Sequence, residues 1–129
     1  MIRPLLALGL VAVAAVTASA QPSGEPLRPE WCRQLPRPEY KALQRVLPDE
    51  PWFEIYRIRP GVFAMYEGKQ FEEVISYLIL GDKRAVLFDT GLGIGKISAV
   101  VARLTPLPVI VINSHTHFDH VGGNAEFTD

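Results

Sequence analysis

The stretch Ser114-His115-Thr116-His117-Phe118-Asp119-His120-Val121-Gly122-Gly123-Asn124 holds all three histidines of the chain, with an aspartate among them. Neutral imidazole nitrogens and carboxylate oxygens are the usual ligands of zinc and related transition metals. This grouping therefore predicts a metal site for hydrolytic chemistry. His115 and His117 fall on the same side of an extended segment, about 6.6 Å apart. Metal–nitrogen bonds of about 2.0–2.1 Å let two such imidazoles hold one ion. Asp119 and His120 are neighbours and join that pair only if the chain turns. Gly122-Gly123 supplies freedom for the turn, with a helix expected to begin there and Phe118 expected to face the core. The site then divides in two, with His115 and His117 on one ion and Asp119 and His120 on a second. Two ions about 3.5–4 Å apart can share a water, lower its pKa and polarise a carbonyl or phosphoryl oxygen. Asp119, beside that water, is the candidate catalytic proton acceptor. Chance clustering of solvated loop histidines is the plainer alternative; the H-x-H-x-D-H order at the end of a buried strand argues against it.

The elements that must position these residues begin at Trp52. Phe53–Arg59 alternates apolar and polar residues with the period of a half-buried strand. Pro60-Gly61 makes a turn. Val62–Tyr66, Val74–Leu80 and Arg84–Asp89 read as three more strands, joined by short polar links, so an antiparallel meander is expected. The mode then changes. Lys96–Leu104 places Ile97, Val100, Val101 and Leu104 on one helical face, and Pro106 and Pro108 end it. Val109–Ile112 is wholly apolar and β-branched, as expected of a central strand covered on both faces. Strand, crossover helix and buried strand make a βαβ unit, so the predicted fold is α/β (α+β) with a mixed sheet. The histidine motif begins just past the carboxyl end of the last strand, where open α/β sheets place their ligands.

Asp89, ending the fourth predicted strand, lies beside the expected position of the motif. It either accepts a hydrogen bond that orients a metal ligand or the motif loop, or serves as a turn aspartate bonded to its own backbone. The glycine turn Thr90–Gly95 fits neither nucleotide fingerprint: Lys96 stands where G-x-G-x-x-G needs its last glycine, and Thr90 and Ile97 break the phosphate-loop pattern. It is read as structural. No serine stands in a G-x-S-x-G setting, which leaves a serine hydrolase unsupported.

A chain of 129 residues is one domain at most. Its 48% apolar and 21% charged content is that of a globular protein. A net charge of −1 gives no case for nucleic acid or an anionic membrane surface as partner. Residues 1–20 carry Arg3, an uncharged apolar run from Leu5 to Val16, and Ala18-Ser19-Ala20, the form of a secretory signal cut after Ala20. The apolar run is shorter than the ~20 residues of a membrane span. Secreted or periplasmic localisation is expected, with no stable membrane association once the signal is removed. Cys32 is the lone cysteine and is read as an unpaired thiol. Residues 21–51, with seven prolines, form a spacer, interrupted by a short helix over Glu39–Leu47.

Together these residues resemble the metallo-β-lactamase-fold hydrolases. His115-Thr116-His117-Phe118-Asp119-His120 with Gly122-Gly123 is similar to that family's H-x-H-x-D-H motif, and Phe88-Asp89-Thr90-Gly91 to its earlier aspartate motif. The resemblance covers roughly residues 52–129. It implies a four-layer αββα sandwich, of which these residues are the N-terminal portion, and a dinuclear centre, most often zinc, with iron or manganese as alternatives. His115 and His117 would bind the first metal, Asp119 and His120 the second, and Asp89 would support them. The family uses a later histidine, aspartate and histidine as well; the chain runs only nine residues past His120. A fragment that is inactive alone is therefore expected, from a parent that hydrolyses an ester, thioester, lactone or β-lactam in a small-molecule substrate. An iron-dependent oxidoreductase resembling the persulfide dioxygenases is the alternative on the same scaffold.

Overall fold

The structure, a computed structural model, describes Glu39 and residues 42–128. The expected signal segment, Cys32 and most of the proline-rich spacer lie outside the described residues.

Six strands form one mixed sheet: β1 (Gln44–Val46), β2 (Glu54–Arg59), β3 (Val62–Tyr66), β4 (Ile75–Leu80), β5 (Ala85–Phe88) and β6 (Val109–Ile112). Their order across the sheet is their order in the chain. β1 to β5 pair antiparallel in succession, as expected of a meander. β6 pairs parallel with β5 after the crossover helix α1 (Ile97–Leu104), which completes the expected βαβ unit. A second short helix, α2 (Phe118–Val121), and a 3-10 turn, Asn124–Phe127, follow β6.

One correction concerns the start. The helix expected over Glu39–Leu47 gives way to β1 at Gln44–Val46, where Arg45 pairs with Tyr56 and Val46 with Ile55. Helix propensity over a few residues is worth tenths of a kcal/mol each, and an available strand edge outweighs it. The sheet therefore reaches upstream of Trp52.

Cross-strand register sorts the sheet into two faces. Ile55 and Met65, Phe63, Leu78 and Leu87, and Ala85 with Val109 share the inner face. α1 lays Ile97, Val100 and Val101 on it, and Phe53 joins them in the core. Burying each such aliphatic side chain contributes roughly 1.5–3 kcal/mol as an upper estimate. Lys96 caps α1 with no side chain; instead the Ser98 amide and hydroxyl both donate to Glu126, at 3.1 and 2.7 Å. A carboxylate there complements the positive end of the helix. At the other end Arg103 donates twice to Asp49, tying α1 to the β1–β2 connection.

The outer face carries the rows Tyr56-Ala64-Tyr77-Phe88-Ile112 and Val62-Ile79-Val86-Ile110. Here β6 departs from expectation. It is not covered on both faces: Ile110 and Ile112 are 42% and 47% exposed. β6 is also an edge of the sheet. An apolar run shows that a strand can be covered on both faces; the covering layer is a property of other segments, and among the described residues none covers Ile110 and Ile112.

Candidate metal centre

β6 ends at Ile112, and its last carbonyl accepts the Asp89 amide at 2.9 Å. That bond sets the two motif-bearing segments side by side. Asp89 is 3% exposed and takes a left-handed backbone, φ 60°. Aspartate tolerates this region better than most residues, because its short polar side chain can bond locally. Both its carboxylate oxygens are used. Oδ1 accepts the Ser114 amide at 2.7 Å. Oδ2 accepts the Ser114 hydroxyl at 2.8 Å and meets His120 Nδ1 at 2.8 Å. Burial by itself would raise the Asp89 pKa, but the hydrogen bonds from His120 and Ser114 outweigh it and hold the carboxyl below its ordinary value. The Asp89 carboxylate thus bonds Ser114 and His120 of the motif segment.

His117 is the extended residue before α2. The chain turns there, so Asp119 and His120 stand on a helical turn that begins four residues ahead of the expected site at Gly122. The His120 amide closes the turn on the His117 carbonyl at 3.0 Å. This brings the imidazoles together, with ring centres 4.6 Å apart for His115 and His117 and 4.1 Å apart for His115 and His120. His120 Nε2 lies 3.3 Å from Asp119 Oδ2. His115 Nδ1 lies 2.9 Å from the Ser114 hydroxyl. With Nδ1 engaged on both His115 and His120, Nε2 is the nitrogen each ring has available. Phe118 corrects an expectation: it is 66% exposed and does not face the core. On a single helical turn with no element packed over it, an apolar residue has nowhere to be buried.

The backbone of this turn rests on the loop after β5. The His120 carbonyl accepts from the Thr90 amide and from Asn113 Nδ2, both at 2.9 Å. Thr90 Oγ1 donates to Asn124 Oδ1 at 2.8 Å and accepts the Gly123 amide at 3.1 Å. Asn124 Nδ2 donates to Asn113 Oδ1 at 2.9 Å. Gly122 is needed for space and not for freedom. Its φ is −59°, open to any residue, but a Cβ there would lie 2.6 Å from the Gly93 nitrogen and closer still to Leu92. The sequence reading gave no role to Ser114, Asn113, Thr90 or Asn124. Their polar types beside the motif were the available signal.

By donor type, three imidazoles and a carboxylate fit a zinc-like ion. As placed, no three histidine, cysteine, aspartate or glutamate side chains among the described residues converge on one point that could hold an ion. Proximity is therefore observed and a closed ligand sphere is not.

Residues 71–129 match the sequence model of the family described as the metallo-beta-lactamase superfamily. Over this stretch the chain is similar to the metallo-beta-lactamase superfamily. The matched region spans β4 to the 3-10 turn and includes Asp89 and the whole histidine motif. The mixed sheet with its βαβ unit is consistent with the N-terminal half of that superfamily's sandwich. No curated protein matches the chain.

Proposed function

We propose that this chain contributes metal ligands to a hydrolase of the metallo-β-lactamase superfamily, acting on an ester, thioester, lactone or β-lactam bond of a small molecule. In this reading His115 and His117 bind one ion, and Asp119 and His120 a second, with zinc the expected metal. The observation that carries it is the gathering of three imidazoles beside Asp119, with Asp89 holding His120 by Nδ1 and leaving Nε2 available. A bound divalent ion supplies Lewis-acid polarisation and a water of lowered pKa. The protein's own part is positional. Ser114 and Asp89 fix ring orientations, and the loop at Thr90 fixes the turn that carries Asp119. Asp119 then accepts a proton from water.

The test is metal uptake by the purified chain, compared with His117→Ala and Asp119→Ala. Zinc bound by the wild type and weakened in both variants supports the assignment. Equal uptake in all three sinks it. Hydrolysis is assayed separately on a panel of the four bond types, because two protein ligands per ion fall short of the three usual in hydrolytic zinc sites. Iron together with oxygen consumption would replace the hydrolase reading with an oxidoreductase.

We also propose that the chain is exported, on the strength of Arg3, the apolar run Leu5–Val16 and Ala18-Ser19-Ala20. Mature protein beginning at Gln21 supports this; an intact N-terminus on exported protein counts against it.

A further inference from the structure

Glu67 is 1% exposed, directly after the end of β3, with no part in the metal site as described. Burying a carboxylate is costly unless its oxygens are satisfied. Here both are. Oε2 accepts Trp52 Nε1 at 2.7 Å, and Oε1 accepts the Leu92 amide at 2.9 Å. Burial pushes the Glu67 carboxyl above its ordinary value, against the pull of these two donors. An apolar residue would fill such a place at less cost, so the carboxylate is there for what it binds.

What it binds is the loop under the metal turn. Gly91, at φ 70°, brings its backbone so close to Glu67 that a Cβ there would fall on Oε1. The Gly91 carbonyl in turn accepts the Gly122 amide at 2.9 Å. Gly93 and Gly122 are in backbone contact, and Thr90 holds the His120 carbonyl. The path from Glu67 to His120 therefore runs through one loop, by hydrogen bonds and direct backbone contact. Glu67 and Trp52 both lie outside the matched family region, 71–129.

We propose that Glu67 is a positioning residue: its carboxylate, braced by Trp52, fixes the Thr90–Gly93 loop on which the His120–Gly123 segment is seated. Its effect on metal binding rests on the function proposed above; its effect on the loop does not.

The test uses the full chain with Glu67→Gln, Trp52→Phe and the double variant. A glutamine oxygen can serve one donor, but its amide group then turns a donor toward the other. Replacing Trp52 removes that conflict and frees the oxygen for Leu92. Two readouts are taken: hydrogen exchange of the Leu92 and Gly122 amides in metal-free protein, and the visible spectrum and affinity of added cobalt(II). Glu67→Gln should speed exchange at both amides and weaken cobalt by about tenfold or more. The double variant should recover most of both. Wild-type exchange at Leu92 and Gly122 in a folded Glu67→Gln protein overturns the proposal, as does an unchanged cobalt spectrum and affinity. If the wild type takes no cobalt, the metal assignment falls and the exchange rates alone decide the role of Glu67. If Glu67→Gln does not fold, the double variant decides: failure to restore protection at Leu92 overturns the proposal.

Discussion

Asp89 and His120 stand 31 positions apart in the chain, and Asp89 Oδ2 meets His120 Nδ1 at 2.8 Å. A carboxylate at that distance selects the imidazole tautomer with its proton on Nδ1. In the proposed metal site His120 would then bind through Nε2. Asp89 has a left-handed backbone, and the Ser114 amide and hydroxyl donate to the same carboxylate.

Asp89→Asn separates charge from shape. Asparagine also tolerates the left-handed region, so the loop keeps its course. Its neutral amide holds His120 less firmly and weakens the basicity of Nε2. Metal affinity should fall about 10–100-fold, read by competition with a chromophoric chelator. Affinity equal to wild type would show that the Asp89–His120 bond does not tune the site.

The two buried carboxylates should titrate with opposite effects on stability. The Asp89 value is lowered from 3.8, so its stabilisation is present above that pH and lost as pH falls through the lowered value. The Glu67 value is raised from 4.5, so its contribution is fullest below that pH and declines as pH rises through the raised value. Urea unfolding of metal-free protein across this range resolves the two. The gap between wild type and Asp89→Asn should close on the acid side, and the gap to Glu67→Gln should shrink on the alkaline side. Gaps that run the other way would contradict the balance of burial against hydrogen bonding described for each group.

Gly122→Ala tests the seat of the metal turn. The new methyl group meets backbone at Leu92 and Gly93, which cannot swing aside as a side chain can. A cost of about 1–3 kcal/mol is expected from the enforced shift, together with weakened metal uptake. Thermal unfolding at the wild-type temperature would show that the two loops are not in close contact.

How far the sequence alone reached varies with the range of the interaction. β3 and β6 have the boundaries their residue patterns predict, because β-branched and aromatic runs between turn residues are local signals. α1 was legible from Ile97, Val100, Val101 and Leu104 at helical spacing. The nearness of Asp89 to the motif followed from the βαβ unit. What escaped was set by partners distant in the chain. Glu67 sits in a polar stretch that reads as a turn, and only the Leu92 amide, 25 residues on, shows that it is an internal anchor. β1 was hidden because a few helix-forming residues weigh less than the open edge of β2. Phe118 misled because one apolar residue in a short loop carries no period.

The strand order has a consequence for how the protein is made. Since β1 to β6 lie across the sheet in the order of synthesis, every strand after the first finds its neighbour already emerged. Loops to be closed stay short, which keeps their entropic cost low and favours rapid pairing. The sheet can therefore grow in one direction as the chain appears. His115 to His120 comes late in that sequence, and the surface that receives it, from Asp89 to Gly93, is laid down beforehand.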